Sequence, residues 1–174
     1  MLSWKVKNIM INKKICMLGA FATGKTSLVE KFVHSIFQDR YLSTVGVKIS
    51  KKKIIVDNRD VTLVLWDMEG RDLYTDINTA FLRGAMGYFI VVDGMREETY
   101  HFALNLYHTV QEKVGNIPCY FLLNKTDLRD EWEVTPSMID TLKTRGIKTL
   151  LTSAKTGAGV EEAFILLGQD MYRG

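Results

Sequence analysis

The segment ICMLGAFATGKTSLV, residues 15–29, decides the fold of this chain. It begins with an apolar run of strand length that ends at Gly19, continues with a loop that fits the pattern G-x-x-x-x-G-K-[ST], and ends in residues of helical periodicity. A loop of this kind between a strand and a helix points successive backbone N–H groups inward at the positive end of the helix dipole. The segment therefore predicts an anion-binding turn; the alternative is a glycine-bearing loop that merely starts a helix.

We call residues 19–26 the phosphate loop. Its Lys25 is expected to reach the β- and γ-phosphates of a nucleotide, and the hydroxyl of Thr26 is expected to coordinate Mg²⁺. Lys25 would be the main electrostatic stabiliser of the negative charge on those phosphates. The residues expected to contact phosphate here are Ala22, Thr23, Gly24, Lys25, Thr26 and Ser27.

Outward from the phosphate loop, short apolar runs alternate with helical patterns along the whole chain. This alternation predicts an α/β fold in which a mostly parallel sheet is covered by helices on both faces. Two extended runs, residues 45–56 and 61–66, are separated only by the turn-forming residues 57–60, so they predict an antiparallel hairpin at one edge. The lysines at 51–53 on that hairpin are expected to block sheet extension, the alternative being a membrane or phosphate patch.

Length and composition limit the number of domains and the class of protein. The 174 residues predict one domain, with residues 1–12 as an N-terminal extension and 13–174 as the folded unit. A hydrophobic fraction of 47% and a charged fraction of 25% exclude a disordered or fibrous protein, and a net charge of +3 is too mild to indicate nucleic-acid binding. Cys16 and Cys119 are expected to be buried, reduced thiols. With no long apolar run, no signal-peptide pattern and no cysteine near the end of the chain, we expect a cytoplasmic protein without a stable membrane anchor.

Polar residues follow three further strands at their carboxyl ends. Asp67 begins the sequence Asp-Met-Glu-Gly, in which the carboxylate can hold Mg²⁺ and Gly70 can offer its N–H to a γ-phosphate. In Asn-Lys-Thr-Asp, residues 124–127, the carboxylate of Asp127 can accept hydrogen bonds from N1–H and the 2-amino group of guanine, a donor pair that adenine lacks. Lys125 can lie along the base, and Asn124 can tie this turn to the phosphate loop.

The last of these motifs is Ser153-Ala154-Lys155, which is expected to supply an N–H to guanine O6. In an open α/β sheet, the carboxyl ends of the strands form the ligand site. The four motifs together therefore predict a guanine-nucleotide site.

With these motifs the chain resembles a small GTPase of the Ras superfamily, and most closely the Rab branch, from about residue 13 to 172. Residues 41–47, 65–67 and 81–85 resemble Rab segments in particular. The resemblance implies a P-loop NTPase G-domain with a six-stranded sheet, one antiparallel edge strand and five helices. It also implies that Phe37 packs on guanine, that Tyr41 covers the phosphates, and that Thr44 ligates Mg²⁺ and senses the γ-phosphate.

The resemblance further implies a molecular switch for signal transduction. Thr44 and Gly70 would hold switch I and switch II closed while GTP is bound. Effectors, exchange factors and activating proteins would then bind through these switches, and we expect a monomer.

The chain departs from the family pattern at Arg71, where relatives usually carry a glutamine that orients the attacking water. A guanidinium has no acceptor for that water, although Arg71 could instead be a solvent-exposed arginine. Phe21 would crowd the approach to the γ-phosphate, and Glu69 adds negative charge nearby. We therefore expect intact nucleotide binding and slow hydrolysis, with Lys25, Thr44, Gly70 and Arg71 as the catalytic set.

Two other functions are compatible with parts of the sequence. One is a pseudo-GTPase, an interaction module held in one nucleotide state. The other is a P-loop nucleotide kinase, which would leave the guanine-reading motif unexplained.

His34, His101 and His108 have no metal-site spacing. Trp132 is expected to contact an effector or to anchor its loop.

Overall fold

The computed structural model describes residues 10–34, 46–68 and 77–174, together with the backbone of residues 42–44. The strands, in chain order, are β1 (Ile11–Gly19), β2 (Leu42–Thr44), β3 (Val47–Val56), β4 (Arg59–Met68), β5 (Gly87–Asp93), β6 (Cys119–Asn124) and β7 (Thr149–Leu151). The α-helices are α1 (Lys25–Val33), α2 (Thr79–Leu82), α3 (Glu97–Val114), α4 (Pro136–Thr144) and α5 (Val160–Arg173), and a 3-10 helix covers Thr126–Glu131.

The strands form one sheet in the order β2-β3-β4-β1-β5-β6-β7. β3 runs antiparallel to both of its neighbours, and the remaining pairs are parallel. The predicted α/β fold, a mostly parallel sheet with one antiparallel strand and helices on both faces, is confirmed. The described strands number seven rather than the six expected, and the antiparallel strand, β3, lies second from the edge rather than at it. β2 adds a short strand of three residues at the edge beside β3, too short to stand out in the sequence as a periodic run.

β1 is longer than the apolar run that predicted it. Residues 11–14, of which only Ile11 is apolar, extend the strand because they pair in parallel with residues 61–64 of β4. The boundary expected between residues 12 and 13 therefore lies within β1.

The hairpin between β3 and β4 turns in two residues rather than the four that the sequence suggested. Asp57 and Asn58 have φ angles of 49° and 61°, so both occupy the left-handed region. Two such residues in succession are typical of a type I′ turn, whose twist matches that of the flanking strands. Arg59 and Asp60 consequently pair with residues 55 and 56 as the first residues of β4.

Two hydrophobic cores cover the two faces of the sheet. Against one face pack α1 and α5, whose Phe32 and Phe164 rings stack with centroids 4.0 Å apart. Against the other face pack the apolar sides of α2, α3 and α4. Alternate residues of β1 point into one core and then the other. Burial on both faces fixes the central strands, so the loops at their carboxyl ends rest on a rigid base.

The structure also describes the contacts of one of the three consecutive lysines of β3, the two cysteines and the lengths of the helices. Lys52 lies on β3 outside residues 47–49, which pair with β2. Its ammonium is 4.0 Å from the Phe32 ring centroid and donates a hydrogen bond to the Phe32 carbonyl. Both cysteines are free; Cys16 is buried, whereas Cys119 is half-buried. Burial raises the pKa of the Cys16 thiol to about 12. Among the helices of the described ranges, none is long and apolar enough to cross a bilayer.

Candidate functional site

The phosphate loop leaves β1 and enters α1 through two glycines whose geometry excludes other residues. Gly19 has a φ of 138°, and a β-carbon there would lie 2.5 Å from the carbonyl oxygen of Val91 in β5. Gly24 has a φ of 101°, and a β-carbon there would overlap the side-chain amide of Asn124. The loop is therefore packed directly on β5 and on the end of β6, which only glycine permits.

Lys25 is the first residue of α1, and its side chain folds back into the loop. It is 5% exposed, and its ammonium donates hydrogen bonds to the carbonyl oxygens of Gly19 at 3.2 Å and Ala20 at 2.8 Å. Burial lowers the pKa of Lys25 to about 8; Asp67 opposes this effect and Arg96 adds to it. A buried cation enclosed by loop carbonyls is well placed to exchange them for phosphate oxygens.

Two of the three residues expected to hold Mg²⁺, Thr26 and Asp67, meet at the carboxyl end of β4. The hydroxyl of Thr26 donates to a carboxylate oxygen of Asp67 at 2.5 Å, and Asp67 is 1% exposed. Mg²⁺ in nucleotide sites is bound by one or two protein oxygens, by water and by phosphate. A hydroxyl and a carboxylate side by side fit this donor set. Across the parts of the chain that the structure describes, no cluster of three or more His, Cys, Asp and Glu could hold a metal by itself.

Asn124, the last residue of β6, joins three segments. Its amide nitrogen donates to the carbonyl of Thr23 at 3.0 Å, across 101 residues of sequence. Its amide oxygen accepts from the hydroxyl of Thr152 and from the backbone N–H of Ala154, each at 3.2 Å. The residue is 1% exposed. The predicted tie between this turn and the phosphate loop is present in the structure.

Asp127 lies exposed at the start of the 3-10 helix, where a base could reach it. One of its carboxylate oxygens accepts a hydrogen bond from the Ser153 hydroxyl at 2.7 Å. Ser153 is fully buried, so it fixes the orientation of the carboxylate. Residues 153–155 were expected to supply an N–H to guanine O6; among them, the N–H of Ala154 is bonded here to Asn124. Lys155 follows as an exposed residue.

The sequence interpretation missed a charged cluster beneath the phosphate loop. Asp93 ends β5 and is 1% exposed. Its carboxylate accepts hydrogen bonds from Lys125 at 2.6 Å and from Arg96 at 2.9 Å. Asp93 could have been suspected because it stands at the carboxyl end of a buried strand, like the predicted residues. Nothing in the local sequence marks Arg96.

Trp132 acts as the loop anchor that was one of its two expected roles. Its indole N–H donates to the carbonyl of Lys125 at 2.9 Å. The ring covers Gly94, where a β-carbon would overlap the indole. Lys125 has a φ of 69°, so the indole stabilises a left-handed residue in the turn that carries Asp127.

The structure therefore brings together most of the predicted site at one edge of the sheet. The residues gathered there are Ala22, Thr23, Gly24, Lys25, Thr26, Ser27, Asp67, Asn124, Lys125, Asp127, Ser153 and Ala154. Predicted roles for Phe37, Tyr41, Glu69, Gly70 and Arg71 fall outside the described residues. Of Thr44 only the backbone is described, as the end of β2.

Comparisons with known proteins point to one family. The model of the Ras family matches residues 14–173. Ras-related protein Rab-8B of Homo sapiens is 33% identical over 160 residues, which cover 91% of this chain and 77% of that protein. Ras-related protein Rab-13 of Bos taurus is 30% identical over 160 residues, covering 91% of this chain and 79% of that protein. Ras-related protein Rab-8 of Diplobatis ommata is 32% identical, with coverage of 91% and 76%.

Proposed function

The chain belongs to the Ras family and is a Rab-like small GTPase, and from this premise we propose that it is a Mg²⁺-dependent switch that hydrolyses GTP slowly. The observation that carries the proposal is the position of Asn124. Its side chain ties the phosphate loop to the base-reading turn and to residues 152–154. One nucleotide could therefore contact all three segments at once.

Recognition of guanine rests on Asp127. Its carboxylate, oriented by Ser153, would accept the N1–H and 2-amino hydrogen bonds of the base. In a competition assay, GDP should displace a fluorescent guanine nucleotide and ADP should not. Asp127→Ala should lower GDP affinity at least tenfold, because a charge-assisted pair of hydrogen bonds is lost. Asp130→Ala, a neighbouring exposed carboxylate, is the matched control. Equal displacement by ADP and GDP would contradict the assignment.

Thr26 and Asp67 would hold Mg²⁺, with Thr44 as the expected third residue. The ion would supply positive charge opposite the phosphate oxygens. Thr26 would exchange its bond to Asp67 for the metal, and Asp67 would orient the water shell. Chelation of Mg²⁺ should accelerate GDP release, and Thr26→Ala should release GDP quickly with or without chelator.

The slow rate is inferred from Arg71 and Phe21. A side chain with donors only cannot orient an attacking water through an acceptor. A water-positioning group and an arginine finger together contribute up to about 10⁵-fold in such enzymes. Phe21 is half-exposed in the phosphate loop, at the position expected to face the γ-phosphate.

Single-turnover hydrolysis tests this inference. Arg71→Gln should raise the rate at least tenfold, whereas Lys25→Ala should abolish it together with nucleotide binding. A rate unchanged by Arg71→Gln, at full nucleotide occupancy, would refute the proposed cause of slow turnover.

Switching would run through switch I, residues 37–44, and through switch II, which contains Gly70 and Arg71. Loss of the γ-phosphate would release Thr44 and Gly70 from their contacts, and both segments would change conformation. Effectors and regulators are expected to bind these surfaces. An effector search should therefore compare the GDP form with a form loaded with a non-hydrolysable GTP analogue.

A further inference from the structure

Arg96 links two parts of the site that are far apart in sequence. It is the residue before α3, and its guanidinium Nη2 donates to the carbonyl oxygen of Phe21 in the phosphate loop at 2.7 Å. The same guanidinium donates through Nε to Asp93 at 2.9 Å. One side chain therefore connects the end of β5 to the middle of the phosphate loop.

Asp93 supports a second cation that makes the equivalent contact. Lys125 donates to the same carboxylate oxygen as Arg96, at 2.6 Å. Its ammonium also reaches the carbonyl oxygen of Ala22 at 3.5 Å. The other carboxylate oxygen of Asp93 accepts from the backbone N–H of Met95 at 3.0 Å. Asp93 thus holds two cations in place, and they reach consecutive carbonyls of the phosphate loop.

The backbone of Asp93 and Arg96 is itself fixed. The hydroxyl of Thr99 lies within hydrogen-bond distance of the Asp93 N–H, at 3.0 Å, and of the Arg96 carbonyl, at 2.8 Å. Thr99 is fully buried. The side chain of Asp93 and that of Arg96, which contacts the loop, therefore project from a rigid turn.

The two carbonyls flank one residue, Ala22, which has a φ of 58°. This left-handed conformation is rare for residues with a β-carbon. Holding the peptide planes on both sides of an α-carbon fixes its φ and ψ. Because each peptide is planar and trans, a carbonyl held on one side directs the N–H of the next residue to the opposite side. The contacts from Arg96 and Lys125 therefore direct the N–H groups of Ala22 and Thr23 away from Asp93.

We propose that Arg96 is a positioning residue for the nucleotide phosphates: anchored on Asp93 beside Lys125, it fixes the peptides around Ala22 so that their N–H groups face the phosphate. This inference rests on the proposed function, since it assigns the phosphate loop to a guanine nucleotide. Arg96 acts through the loop backbone and does not itself contact the nucleotide.

The test compares GDP with GMP, which lacks the β-phosphate. Dissociation constants of both are measured by competition against a fluorescent guanine nucleotide. Arg96→Gln should weaken GDP binding about tenfold, because one charge-assisted hydrogen bond to the loop is lost. GMP binding should change far less, so the preference for GDP over GMP should fall. Arg96→Lys, which keeps a cation beside Asp93, should restore part of that preference.

A second substitution separates loop positioning from general stability. Ala22→Gly removes the steric penalty of the left-handed conformation, so Arg96→Gln should cost less GDP affinity in that background. Arg59→Gln, an exposed arginine at the opposite end of β4, is the matched control and should leave both affinities unchanged.

Three results would overturn the proposal: equal losses of GDP and GMP affinity in Arg96→Gln, an unchanged GDP affinity, or no difference between the two backgrounds. If the unaltered protein bound GMP and GDP no better than adenine nucleotides, the proposed function itself would fail. The two failures are therefore distinguishable.

Discussion

At the scale of single residues, the site combines groups that the sequence marks with groups that only the fold brings into place. Lys25, Asn124 and Asp127 lie in recognisable motifs, so their positions near the carboxyl ends of the strands were predictable. Residues 153–155 were predicted to supply an N–H to the base, and the structure adds a second role, since the hydroxyl of Ser153 orients Asp127. Arg96 contacts Phe21 across 75 residues of sequence. Contacts of that kind depend on the packing of β1 against β5, which no local pattern records.

Lys25 makes nucleotide affinity depend on pH. Its pKa is about 8 in the free protein, since burial disfavours the charged form. Phosphate would favour that form and raise the pKa, so binding above pH 8 takes up a proton. Affinity should therefore be constant below that pH and fall as pH rises, by about tenfold at one pH unit above the pKa. The measurement is the GDP dissociation constant between pH 7 and pH 9.

Lys25→Arg serves as the control for this dependence. A guanidinium stays charged over the whole range, so any decline that remains in the variant comes from other groups, including the base. An equal decline in both proteins would contradict the role given to Lys25.

At the scale of elements, strands and helices with strong periodicity were predicted and turn geometry was not. The hairpin was clear from two extended runs, but the dipeptide Asp57-Asn58 lacks the glycine that usually marks a type I′ turn. The N-cap of α4 is Thr135, because its hydroxyl accepts the N–H of Met138.

The turn after β5 should be sensitive to a single methyl group. In Gly94→Ala the β-carbon would overlap the Trp132 indole, which must then move away from the carbonyl of Lys125. We expect a loss of about 1–3 kcal/mol in the free energy of unfolding, typical of overpacking, and weaker GDP binding. Denaturant unfolding and GDP competition measure the two effects.

A double-mutant cycle identifies the cause of that loss. In a Trp132→Ala background the added methyl group meets no indole, so Gly94→Ala should cost much less. The same cost in both backgrounds would show that the methyl group acts elsewhere.

At the scale of the whole molecule, two cores fix the sheet, and the site lies at one edge of it. The cores involve strands and helices throughout the described chain, whereas the site consists of loops joined by Asn124, Asp93 and Trp132. Alternation of apolar runs was enough to predict this layering. The sequence could not show how tightly the loops are joined, because those bonds link residues on different strands.

Because a ligand bound across three loops stabilises only the folded state, GDP with Mg²⁺ should raise the melting temperature. A ligand at a thousand times its dissociation constant adds about 4 kcal/mol. For a chain of this length each kcal/mol corresponds to about 2–4 °C, so a shift of about 8–16 °C is expected. ADP at the same concentration should give none.

Asn124→Ala provides the decisive comparison for this shift. It removes the bonds among the phosphate loop, the base-reading turn and residues 152–154, while both cores keep their apolar contacts. The unliganded variant should melt at a temperature a few degrees lower, because the buried groups that Asn124 bonds are left without a hydrogen-bond partner. Its GDP-induced shift should nearly disappear, since the three segments no longer form one binding surface. A full shift in this variant would mean that the loops bind the nucleotide independently of Asn124.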